Sequence, residues 1–153
     1  MKRSFQEVAG AVGERGLFIF QFSGHGLSVK KEGDGQFGLV PADFDMTTAK
    51  FITGSVLNQW LIDSKCKARH VVFILDCCYA GGLGTDVTAG VPNLRSGLYV
   101  LSASTALEAS LVIQPLGNSL FTYFLAYAIR KFQFVCSTLP ISKIFEECRE
   151  LCV

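Results

Sequence analysis

One stretch constrains the fold more than any other: His70-Val71-Val72-Phe73-Ile74-Leu75-Asp76-Cys77-Cys78-Tyr79-Ala80-Gly81-Gly82. An apolar run cut short by a carboxylate, two adjacent thiols and a glycine pair reads as a buried strand delivering reactive groups to a tight turn. A second run, Leu17-Phe18-Ile19-Phe20-Gln21-Phe22, ends in Ser23-Gly24-His25-Gly26. A third, Leu98-Tyr99-Val100-Leu101, ends in Ser102-Ala103-Ser104-Thr105. Strands that are apolar on both faces belong in a mostly parallel sheet covered on both sides.

Helical periodicity fills the intervals. Residues 4–14 carry Phe5, Val8 and Val12 on one face, and Gly13 to Gly16 end that helix. Thr53 or Ser55 caps a helix with Val56, Leu57, Trp60 and Leu61 inward. Asn118 or Ser119 opens a helix over 118–133 with Phe121, Phe124, Leu125, Ala128 and Ile129 inward, and a last helix spans 142–152. Residues 27–38 read as a solvated loop or hairpin tip. Thr85 to Ser96, rich in Gly, Pro, Thr and Asn, reads as a loop. His70, set among Lys and Arg, reads as a solvated residue. The alternation predicts an α/β fold, but three central strands are few for a covered sheet. The chain is therefore expected to be a fragment of a larger domain or to be completed by another chain.

A length of 153 residues fits one domain spanning 1–153. Hydrophobic content of 50% against 18% charged excludes a disordered chain. The formal charge of +1, with Lys and Arg scattered, gives no electrostatic footprint for nucleic acid. No apolar run approaches the ~20 residues of a membrane span. Met1-Lys2-Arg3-Ser4-Phe5-Gln6-Glu7-Val8 lacks the apolar centre of a signal peptide, so a cytoplasmic location is expected. The six cysteines then read as reduced, and a bond between adjacent Cys77 and Cys78 would be strained. Only His25 and His70 could supplement the thiols as zinc ligands, so neither metal nor cofactor is expected.

In open parallel sheets the functional crevice lies beyond the carboxyl ends of the strands. His25, Cys78 and Ser102 to Ser104 all follow such ends. A thiol with a pKa of about 8.5 needs a base or a positive environment to become a nucleophile at neutral pH. A neighbouring imidazole supplies this and later protonates a leaving amine. The backbone N–H groups of Gly26 and of the nucleophile itself could form an oxyanion hole.

His25 and Cys78 lie 53 residues apart, close to the spacing of about 50 residues found in caspases. Phe22-Ser23-Gly24-His25-Gly26 resembles the histidine motif of caspases and, with its glycine, still more that of metacaspases. Asp76-Cys77-Cys78-Tyr79-Ala80-Gly81 resembles the metacaspase cysteine motif. Leu101-Ser102-Ala103-Ser104-Thr105 and Gly117-Asn118-Ser119-Leu120-Phe121-Thr122 resemble the family's later strand and helix. This resemblance to the caspase/metacaspase family implies a three-layer α/β/α sandwich around a mostly parallel sheet. It implies a cysteine endopeptidase acting on protein or peptide substrates through a thioester, with Cys78 the nucleophile, His25 the base and later acid, and Gly26 and Cys78 the oxyanion donors. Cys77 falls at the family's variable position and reads as a packed thiol. Asp76 corresponds to a residue lining the primary specificity pocket, which implies cleavage after Arg or Lys; a cap on the following turn is the other reading of it. Ser102 would contact substrate as well, and Glu108 lies near the same region.

Departures accompany the resemblance. Tyr79-Ala80 stands where metacaspases often carry His-Ser. Asp86 and Arg95 are the candidate cut sites in the segment 83–97, where caspases are divided into two subunits, and the segment otherwise reads as simply a loop. The family has two further strands and a helix ahead of the region where this chain starts, including a central strand flanked by the His and Cys strands. The fold is thus expected to be N-terminally incomplete, with a second copy, or a fused or partner domain, supplying the missing strands. An alternative function follows: a truncated, catalytically inactive caspase-like module kept for interaction or regulation. A flavodoxin-like or nucleotide-binding domain is weaker, because no Gly-rich phosphate loop opens a helix after the first strand.

Overall fold

The computed structural model describes residues 1–30, 35–45, 47–48, 50–89, 97–105, 112–113, 118–133, 138 and 140–152. They fall into two compact units, Met1–Ala109 and Ser110–Val153. The first runs α1 (Lys2–Ala11), β1 (Leu17–Ser23), β2 (Gly26–Lys30), β3 (Gly35–Leu39), β4 (Ile52–Thr53), α2 (Gly54–Asp63), β5 (His70–Asp76), α3 (Ala80–Ala89) and β6 (Leu98–Ser102). The second runs β7 (Val112–Ile113), β8 (Asn118–Ser119), α4 (Leu120–Gln133) and α5 (Ile141–Leu151).

The main sheet is parallel, in the order β1-β5-β6. β1 pairs with β5 along its whole length, from Leu17 opposite His70 to Ser23 opposite Asp76. This corrects one expectation: no strand stands between the His and Cys strands. β5 is itself the central strand, because its two edges are taken by β1 and β6. A smaller antiparallel sheet, β2-β3-β4, grows from the turn after β1 and places Leu39 opposite Gly26.

Register explains the core. Phe18 and Phe20 share a face with Val71 and Phe73, and α1, α2 and α3 add Phe5, Ala9, Leu57, Trp60, Leu61, Leu83 and Val87 to that side. Phe5 packs edge-on against Phe18 and Trp60, with ring centroids 5.0 and 5.7 Å away, and stacks on Phe73 at 6.3 Å. On the other face Val72, Ile74 and Leu101 are buried too. β1 departs from that pattern. Leu17 and Ile19 are 50% and 52% exposed, so this strand is covered on one face alone.

Local chemistry sets the helix ends. The Thr53 hydroxyl accepts from Val56 N–H at 3.3 Å, the N-cap anticipated from the sequence. Ser119 does the same for Thr122 N–H at 3.0 Å at the head of α4. Phe121, Leu125 and Ala128 of α4 are buried as expected, whereas Ile129 is exposed. α4 and α5 are tied by a Cys148 thiol donating to the Phe121 carbonyl at 3.6 Å and by a Lys131–Glu147 ion pair at 2.6 Å.

Two sequence readings need correction. Residues 85–89, read as the start of a loop, belong to helix α3, while 90–96 lie outside the described residues. Gly81, Gly82, Gly84 and the β-branched Thr85, Val87 and Thr88 are poor helix formers, but tertiary packing overrides propensity here. A Cβ at Gly82 would lie 2.5–2.7 Å from three ring atoms of Phe37 on β3, so glycine is what lets the hairpin seat on this helix. Asp86 is therefore helical and not presented as an extended cut site, while Arg95 and Glu108 lie outside the described residues. His70 is half-buried rather than solvated, its ring 6.3 Å from that of Tyr99.

The C-terminal turn of α3 is held from α2. Buried Asn58 donates Nδ2 to the carbonyls of Asp86 and Val87, at 3.3 and 2.8 Å. Asn58→Asp would replace that donor with a second acceptor facing two carbonyls. A loss of about 1–3 kcal/mol is expected, seen in thermal unfolding as about 2–4 °C in Tm per kcal/mol; an unchanged Tm would contradict this role.

Candidate active site

The parallel pairing of β1 and β5 carries both motifs to the same end of the sheet. Just past the last register pair, Gly24 N–H donates to the Asp76 carbonyl at 3.1 Å, and the Ser23 hydroxyl donates to Asp76 Oδ2 at 3.1 Å. The chain then turns through His25, whose carbonyl accepts from Val40 N–H at 2.9 Å. At Gly26 the backbone presses against the cysteine turn. A Cβ there would overlap the Cys78 carbonyl oxygen and sit 3.1 Å from Cys77 Sγ, so any side chain would force the two turns apart. The structure thus brings the His25 and Cys78 segments into backbone contact, with His25 exposed and Cys78 half-buried.

The two thiols differ in environment. Cys77 is 1% exposed, and burial pushes its pKa up to about 12, with the Asp76 carboxylate and then Cys78 adding to the effect. A thiol held protonated in this way is inert at neutral pH. Asp76 is buried at 3% exposure beneath an exposed Ser23.

Beyond Cys78 the backbone takes an uncommon path. Tyr79 has φ of 60°, in the left-handed region that bulky residues avoid. Such a conformation costs about 1–3 kcal/mol and persists only where the surroundings fix it. Those surroundings come from β6 and the residues after it. The Ser104 hydroxyl donates to the Cys77 carbonyl at 3.0 Å and accepts from Ala80 N–H at 3.2 Å. Ser102, expected to contact substrate, directs its hydroxyl to the Ala80 carbonyl at 3.3 Å. Ala103 N–H closes the junction with the Leu75 carbonyl at 3.0 Å. Sequence reasoning placed Ser102 to Ser104 on this rim but did not find the work of Ser104 or the bond from Ser23.

Among the described residues no group of three His, Cys, Asp or Glu is placed to hold a metal ion, and no helix is long and apolar enough to cross a membrane.

The sequence model of the caspase domain matches residues 1–151. The chain belongs to the caspase domain family. Caspase domains are cysteine peptidase domains, and the mostly parallel α/β sheet described above is consistent with that fold. No curated protein matches the chain.

Within this caspase domain the state of Cys77 has a consequence for stability. The folded thiol keeps its proton up to about pH 12, whereas the unfolded one releases it near its ordinary value of 9.0. The folded state therefore binds more protons over that interval, and stability falls as pH rises from about 9 to 12. Thermal unfolding of Cys77→Ala should decline less steeply over this window than the wild type; identical slopes would contradict it.

Proposed function

We propose that this caspase domain is a cysteine endopeptidase using a Cys78–His25 dyad, in a cytoplasmic setting that keeps the thiol reduced. The carrying observation is the asymmetry of the thiols: Cys78 is half-buried on a turn pressed against Gly26, while its neighbour is buried and protonated.

The imidazole of His25 accepts the Cys78 thiol proton, and the sulfur attacks the scissile carbonyl carbon. The resulting oxyanion accepts hydrogen bonds from the backbone N–H groups of Gly26 and Cys78. As the intermediate collapses, the C–N bond breaks and His25 returns the proton to the leaving amine. Water, deprotonated by His25, then hydrolyses the thioester and releases the acid and the free thiol. Cys78→Ala should lower turnover by at least about a thousandfold, and Cys77→Ala should leave it within about threefold. The reverse pattern would overturn the assignment. Failure of the wild type to react with a peptidyl electrophile would favour a non-catalytic interaction module instead.

Asp76 supports a preference for a basic residue before the scissile bond. A carboxylate can pair with a substrate cation, and this one ends β5 just before the turn that carries Cys78 and is hydrogen-bonded to an exposed serine. On a panel of fluorogenic peptides, cleavage should follow Arg and Lys and drop about 100-fold in Asp76→Asn. Cleavage after Asp, but not after Arg or Lys, would sink this specificity.

A further inference from the structure

The turn that carries Cys78 is tied from outside by a side chain. In a four-residue turn the first carbonyl commonly accepts directly from the fourth N–H. Over Cys77-Cys78-Tyr79-Ala80, the Ser104 hydroxyl stands between these two groups, donating to the Cys77 carbonyl and accepting from Ala80 N–H. One side chain thus joins both ends of the turn and brackets Cys78 and Tyr79. The third residue of the turn has positive φ, as in type II turns that favour glycine there, yet it is Tyr79. No glycine relieves that position, and the Ser104 hydroxyl is placed to hold it.

The tie is itself anchored. Ala103, next to Ser104, is bonded to the Leu75 carbonyl at the end of β5, and Ser102 fixes the Ala80 carbonyl at the start of α3. From the opposite side Gly26 abuts the Cys78 carbonyl. The turn is gripped between the end of β6 and the turn after β1.

We infer that Ser104 is a positioning residue: its hydroxyl bridges Cys77 and Ala80 and so fixes the backbone that presents Cys78 to the substrate carbonyl. This rests on the peptidase reading above, in which the sulfur and the Cys78 N–H must both meet the reacting carbonyl. Misplacing such a group by about an ångström costs on the order of 100-fold in rate.

The test is an isosteric pair. Ser104→Thr keeps the hydroxyl, and Ser104→Val has nearly the same shape without it. With Cys78-dependent cleavage of a fluorogenic peptide as the readout, the Thr variant should stay within about threefold of wild type. The Val variant should lose about 10–100-fold in kcat with KM within about twofold. Equal activity in the two variants, whether high or low, would overturn the inference, because the hydroxyl would then not matter. Tyr79→Gly guards against an unstable Val variant, since glycine accepts positive φ without a tie. Adding it to Ser104→Val should recover most of the lost kcat relative to Tyr79→Gly alone, and no recovery would overturn the proposal. A second measurement does not depend on proteolysis: hydrogen exchange at the Ala80 amide should quicken at least about tenfold in Ser104→Val but not in Ser104→Thr. If the wild type neither cleaves nor labels while this difference appears, the peptidase reading falls and the tie stands. If Ala80 exchanges equally in both variants, the tie falls whatever the activity.

Discussion

The parallel hydrogen-bond ladder between β1 and β5 is the interaction on which the rest depends. The two strands are separated in sequence by β2, β3, β4 and α2, and each alone is an apolar segment with a polar end. Paired from Leu17–His70 to Ser23–Asp76, they deliver the Gly-His-Gly and Asp-Cys-Cys turns to one rim at matching heights. A slip of one residue would turn each β1 side chain to the opposite face and move the histidine by one strand step, about 3.3 Å. Burial guards against that slip, because Phe18 is buried on the face where Phe5 and Phe73 wait, while Leu17 and Ile19 face solvent.

Much of this was legible in the sequence because the signals were strong and local. Largely apolar runs located β1, β5 and β6, and the cap candidates Thr53 or Ser55 and Asn118 or Ser119 marked the starts of α2 and α4. The pairing of the His and Cys motifs was readable as well, since both follow strand ends. What escaped was written in contacts rather than in patterns. α3 hides behind three glycines in ten residues, each a weak helix former, and its shape comes from neighbours distant in sequence. Asn58 looks like any polar residue on a helix, yet it is buried to serve two carbonyls on another element. The expectation of a strand between β1 and β5 failed for a related reason. It came from resemblance, and strand neighbours are decided by which edges are free to pair.

The division of labour between the adjacent thiols shows how one residue of spacing changes chemistry. Cys77 follows directly on β5 and remains in the core beside a buried carboxylate, where ionisation is doubly opposed. Cys78, one position on, has left that environment for the turn. No feature of residue type separates them; the end of the strand does.

The glycine-rich α3 has a consequence for the order in which the molecule becomes competent. A ten-residue helix of this composition has little tendency to form alone, so it persists because Phe37, Val100 and Asn58 receive it. Its first residue, Ala80, is also the far end of the turn bearing Cys78. The sheet can therefore be complete while the proposed nucleophile is still unplaced. Assembly of this domain has two levels, a framework and the turn that carries the proposed nucleophile, and the hairpin that docks on α3 joins them.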